Sequence, residues 1–276
     1  MFYYVLMNEN PIILEAAKTL GVSPEMLRAI SAAVQKVHGD TAKRICDVHP
    51  GIVGRVQADY TALELAGKKL NHHDIEHAKR VGEIARQVAL DEWQDAHLSH
   101  VAGAAGLVHN ADRIIQAQRG IGRRDVPRDD VITLVKKWAE GEVGGSDLEL
   151  VIDAVLRHDG KNETDDSKVK IALQDGDRIV NLDGDLFPRS GQYYADLPVV
   201  DYKHFLASPT ATYRSPESVL RDINYSRDWA DPASNVCVRT RLGMQMAKQR
   251  VAMFDLYFMM LKGQLAQEGL IFPESN

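Results

Sequence analysis

The stretch DIEHAKRVGEIARQVAL, residues 74–90, decides the fold class. His77, Val81, Ile84 and Val88 recur at i, i+4, i+7 and i+11, one face of a helix with 3.6 residues per turn. The first of these inward positions is a histidine where an aliphatic side chain belongs. An ionisable group turned toward a core is costly unless it is hydrogen-bonded, paired or bound to a metal. The same stretch therefore predicts helix packing and marks a site.

The pattern repeats downstream. Leu98, Val101, Ala105 and Val108 keep helical spacing, predict one helix over 98–117, and lead directly into His109-Asn110. A helix from Asp147 carries Leu148, Val151 and Val155, and His158 is the next step along that face, just before the stop signal Gly160. Leu173, Asp177 and Val180 share a face of a helix that begins near Ser167. These stripes predict an all-α fold in which His77, His109, His158 and Asp177 arrive from separate helices and meet. Imidazoles with a carboxylate suit a divalent ion such as Mn, Fe, Mg, Co, Ni or Zn.

The residues carry a resemblance. His77-Ala-Lys-Arg-Val81 resembles the H-x-x-R-V start of HD-superfamily metal-dependent phosphohydrolases. Val108-His109-Asn110 is similar to their His-Asp pair, and Leu173-Gln-Asp-Gly-Asp177-Arg178 to their closing L-x-D-A-D-R segment. His158, and a last helix with Thr240, Ala247 and Arg250, match one subgroup. The similarity covers residues 70–185 well and 236–268 more loosely. It implies an HD-like helical core with His77, His109 and Asp177 as metal ligands and with Asn110 and His158 as further ones. Asn110 is the departure, because the family has a ligating aspartate there and an amide brings no negative charge.

Around these ligands the spacing offers further candidates. Asp112 lies three residues after His109, nearly on the same face if the helix continues, and is the candidate catalytic carboxylate that restores the missing charge. Arg80, Arg113 and Arg178 follow the ligands closely enough to neutralise phosphoryl oxygens as substrate-binding groups. Asp74, one turn before His77, is placed to orient that imidazole. Taken singly, His158 reads as a core histidine and each arginine as a surface residue. His72, His73, His97 and His100 read as exposed. Gly176 either admits another backbone or ends its helix.

Composition narrows the function. The net charge of −6 and the lack of a basic stripe interleaved with aromatics disfavour nucleic acid as a partner. Cys46 and Cys237 lack C-x-x-C spacing, which points to a reducing compartment, and cytoplasm is the expected location. Met1–Met7 is apolar but too short and uncharged for a signal peptide or membrane span. No membrane partner is expected.

Residues 1–65 read as an N-terminal helical extension, with a helix opened by Ser23-Pro24, and 66–276 as the HD-like domain. From 186 to 235 prolines and scattered tyrosines break the periodicity, predicting a lid or an irregular covering. The final helix, Val236 to about Gln267, has Met244, Ala247, Val251, Phe254, Phe258 and Leu261 on one face, which is core or a homodimer contact. The expected activity is hydrolysis of a phosphoester or phosphoanhydride of a small molecule, a nucleotide first. The alternative is a degenerate HD protein that binds a nucleotide or protein partner without turnover, and di-iron oxygenase chemistry ranks last.

Overall fold

The computed structural model describes residues 44–68, 70, 73–270 and 272, and Arg44–Asn276 makes one compact unit. Among the described residues there is no sheet, and the protein is all-α. Its helices are α1 (Ile45–Val48), α2 (Pro50–Leu65), α3 (Ile75–Trp93), α4 (Ala96–Val108), α5 (Ala111–Arg119) and α6 (Arg128–Ala139). They continue with α7 (Gly145–Arg157), α8 (Lys168–Val180), α9 (Leu186–Tyr193), α10 (Val219–Tyr225) and α11 (Arg241–Gln267). The apolar segment Met1–Met7 and the helix expected after Ser23-Pro24 lie outside the described residues.

The centre of the unit is the packing of α3 against α4 and α8. Glycines permit it. A Cβ at Gly106 would sit 2.5 Å from the Cα of Gly82, and one at Gly176 would sit 2.9 Å from the Val81 carbonyl oxygen. Only backbones without side chains approach this closely. Gly176 is therefore a crossing point between helices, which settles the two readings its position allowed. The aliphatic stripe behaves as read: Val81 and Val88 are fully buried and Ile84 nearly so.

The helix expected over 98–117 is two helices. α4 stops at Val108 and α5 starts at Ala111, with Asn110 at φ −88 and ψ 22 between them. His109 Nδ1 donates to the Gly106 carbonyl at 2.7 Å, a local bond that satisfies one of the carbonyls left over at a helix end.

Residues 50–65 belong to this same unit rather than to an extension ending at residue 65. Ile52, Val56, Tyr60 and Leu63 are buried in the common core, and the Arg55 guanidinium donates to the carbonyls of Trp138 and Glu140. The last helix begins later than Val236, because the N–H groups of Arg239 and Thr240 donate to the buried Asp175 carboxylate and hold that strand of chain extended. Of its apolar stripe, Ala247, Phe254 and Phe258 are buried in the core.

The segment 186–235 is a covering with short helices of its own. Its own Val200, Phe205, Leu220 and Ile223 are buried. Arg221, 1% exposed, holds it together by donating to the carbonyls of Phe205, Leu206 and Pro216 and to Asp201. Such a buried guanidinium takes the place of the periodicity that the sequence lacks.

Candidate metal centre

His77, His109 and Asp177 converge. One donor atom from each lies within 4.8 Å of the others, with His77 Nε2 3.2 Å and His109 Nε2 3.7 Å from Asp177 Oδ1. Donors sharing a cation at about 2.1 Å stand roughly 3 Å or a little more apart, so the set has the spacing of a ligand shell. The imidazole centroids of His77 and His109 are 5.3 Å apart, and that of His158 lies 5.4 Å beyond His109.

Each side chain is placed by an ordinary local device. His77 stands in the first turn of α3, whose N-cap is Asp74. The Asp74 carboxylate accepts from the His77 backbone N–H at 2.8 Å and does not bond the imidazole. Asp74 thus fixes the helix start rather than the ring, a correction to its expected role. His109 and His158 each cap a helix C-terminus and donate Nδ1–H to the carbonyl three residues earlier, at 2.7 Å in both cases. That bond puts the proton on Nδ1 and leaves Nε2 with a lone pair.

The consequence is sharpest at His109. Its Nε2 is buried with no hydrogen-bond partner, and it faces a carboxylate oxygen rather than a donor. Lone pair against lone pair is a cation's place, not a hydrogen bond's. Burial pushes the His109 pKa down to about 3, against the upward pull of Asp177. Burial alone would raise the Asp177 pKa, but the His77 hydrogen bond and the nearby histidines hold the carboxyl far below its ordinary range. Neutral imidazole and ionised carboxylate are the forms that bind metal. The residues present therefore fit a divalent ion.

Other expected groups are placed differently. Asn110 follows His109 and is buried, its Nδ2 without an acceptor and its amide beside the Tyr60 hydroxyl. Asp112 stands outside the compact set, with its Oδ1 buried and unpartnered. It accepts from Arg123 Nε at 3.0 Å and does not join the donor set, so the compensating role expected for it is not met. His158 stands next to His109 but outside the compact set of three.

The three arginines have separate fates. Arg178 is buried and spends its donors on Gly160 O, Asn162 Oδ1 and Cys237 O, clamping the turn after His158. It is an architectural residue in this geometry, with Gln174 gripping the same turn through the carbonyls of His158 and Gly160. Arg80 is ion-paired to Asp183 and Asp185. Arg113 lies beside Arg123 and Asp112, within electrostatic reach of Tyr193.

Several neighbours escape the sequence reading. Asn181, one turn after Asp177, donates Nδ2–H to Asp177 Oδ1 at 2.9 Å, and its own Oδ1 accepts from Arg189 at 3.2 Å. His73, read as exposed, is half-buried with its ring 5.6 Å from that of His77. His72 lies outside the described residues. Asn181 caps the helix of Asp177 four residues on, so the i, i+4 rule held its signal, whereas His73 precedes the N-cap of α3 and no helical spacing marks it. Arg123 and Arg189 carried none. Of the other histidines, His97 is exposed as expected, while His100 is half-buried against the ring of His49, which bonds Glu142 and the His100 carbonyl.

A second acidic group, Glu163, Asp165 and Asp166, is spoken for: Lys170, Arg157 and Arg239 pair with Asp166. No helix among the described residues is long and apolar enough to cross a membrane. No protein-family model, curated protein or solved structure matches the chain.

Proposed function

We propose that the protein is a divalent-metal-dependent phosphohydrolase of the HD type acting on a small phosphorylated molecule, a nucleotide in the first instance. The observation that carries the reading is the His109 Nε2 lone pair, buried without a partner and set 3.7 Å from the Asp177 carboxylate beside His77. His77, His109 and Asp177 would hold the ion, with His158 the nearest further donor. A divalent cation held there would polarise a phosphoryl oxygen and ionise water near neutral pH. The Nδ1–H bonds to Gly106 and Val155 keep the rings of His109 and His158 in one tautomer, and Asn181 fixes the carboxylate. A base-bearing substrate is favoured by Tyr213, 64% exposed, which lies within the electrostatic reach of Arg123, Asp177 and Tyr193. Exposed rings beside a phosphate-handling centre offer a stacking surface for a base.

A specific observation favours a second reading. Asn110 places a neutral amide where the HD pattern has a carboxylate, so the chain would bind a nucleotide or partner without turnover. The two separate in one experiment. Metal content of the purified chain is measured first, and less than roughly a tenth of an equivalent after loading with Mn, Co, Ni, Zn, Fe or Mg counts against both metal readings. A nucleotide and sugar-phosphate panel follows. Turnover by the wild type supports the hydrolase, whereas turnover only in Asn110→Asp supports the binder.

A further inference from the structure

The covering segment brings to the centre an arginine that no motif marks. Arg189, on α9, donates Nη1–H to Asn181 Oδ1 at 3.2 Å, and Asn181 in turn bonds Asp177. It stands one amide away from the proposed ligand carboxylate. Its Nε and Nη2 are buried without a hydrogen-bond acceptor. Those two N–H groups point the same way from the guanidinium plane and form the edge that grips two oxygens of an oxyanion at once.

The carboxylate paired with it is shared with another arginine. Nη2 lies 3.3 Å from Asp185 Oδ1, an ion pair without hydrogen-bond geometry, and Asp185 is shared with Arg80 at 3.1 Å. Arg80 also pairs with Asp183, which is shared with Arg250 at 2.8 Å. Three guanidiniums thus share the carboxylates of Asp183 and Asp185, while Asp177 and Asp74 act on Arg189 from further off. Burial lowers the Arg189 pKa, yet an arginine stays charged, so a buried cation keeps two N–H groups for which the chain supplies no hydrogen-bond acceptor.

We infer that Arg189 is the phosphate clamp of this centre, gripping the phosphoryl group of the substrate side-on through Nε and Nη2. The inference rests on the phosphohydrolase reading, since it places the phosphoryl group beside Asp177. It gives the segment read as a lid or an irregular covering a phosphate-binding residue. A phosphoryl dianion between Arg189 and a cation at His77, His109 and Asp177 would be neutralised from both sides.

Binding of inorganic phosphate to the full chain, with and without Mn2+, tests this by calorimetry, with Mn2+ affinity measured separately by electron paramagnetic resonance. Arg189→Ala and Arg189→Lys should each weaken phosphate binding roughly tenfold or more. Their Mn2+ affinity should stay within about twofold of wild type, because neither variant removes a donor of the shell. Lysine keeps the charge and loses the fork, so wild-type phosphate affinity in Arg189→Lys would overturn the proposal. Asp185→Asn removes the carboxylate that competes for Nη2 and should tighten phosphate binding; unchanged or weaker binding there would also overturn it. Failure of the wild type to bind phosphate under either condition does the same. Arg189-dependent phosphate binding in a chain that takes up no Mn2+ would support the clamp and count against the metal reading alone.

Discussion

Directly after His109 in the chain stands a buried amide, and the environment of Asn110 says what exchanging it for a carboxylate would do. Its Nδ2 has no acceptor, its amide lies beside the Tyr60 hydroxyl, and it follows His109 of the convergent set directly in the chain. Asn110→Asp adds a second negative charge to the cluster. With metal present the added charge strengthens cation binding, and a gain of roughly tenfold or more in Mn2+ affinity is expected from calorimetry. Without metal the new carboxylate is a further negative charge in a buried position next to His109, and such a desolvated charge costs about 1–2 kcal/mol. The variant should therefore be less stable than wild type in chelator and more stable in Mn2+. A uniform shift in both conditions would remove Asn110 from any part in cation binding.

Helix crossings put those residues in place, and the closest crossing is the most exacting. A Cβ at position 106 would meet Gly82 Cα at 2.5 Å and Gly82 N at 2.6 Å, which are backbone atoms that cannot swing aside. Gly106→Ala forces α3 and α4 apart and should cost about 1–3 kcal/mol in denaturant unfolding. It should also weaken Mn2+ binding, since the two helices carry His77 and His109. The covering segment depends instead on charge. Burial alone would raise the pKa of Asp201, but the bond from Arg221, followed by the N–H groups of Lys203 and His204, lowers it to about 2. The folded-state value lies below the unfolded one, so the contribution is complete above the ordinary aspartate range and is lost as pH falls from about 4 to 2. Asp201→Asn should be about 2 kcal/mol less stable than wild type at pH 5, and the gap should close toward pH 2. A gap that stayed constant with pH would show that the pair does not hold the segment.

Across the whole molecule, what was legible follows from periodicity and what was hidden follows from its absence. Val81, Val88, His109 and Asp177 declare themselves because a helix repeats its inward face every few residues, and the all-α class with the convergent set comes from that repeat. The break at Asn110 did not show, since a helix end made by a histidine bonding back to its own turn leaves no Gly or Pro behind. Arg123 and Arg189 were out of reach for another reason: they come from segments without a stripe, and only tertiary packing brings them near Asp177. If the convergent set holds a cation, it ties α3, α4 and α8 together, and metal should stabilise the entire unit rather than one loop. At a free Mn2+ concentration of about 100 times Kd the gain is about 2.7 kcal/mol. For a unit of this size that raises Tm by roughly 5–10 °C. Calorimetric melting with Mn2+ against chelator measures it, and Asp177→Asn should abolish the difference while still melting cooperatively. An Asp177→Asn chain that kept the full metal-dependent rise would place the cation elsewhere and separate the helical core from the chemistry proposed for it.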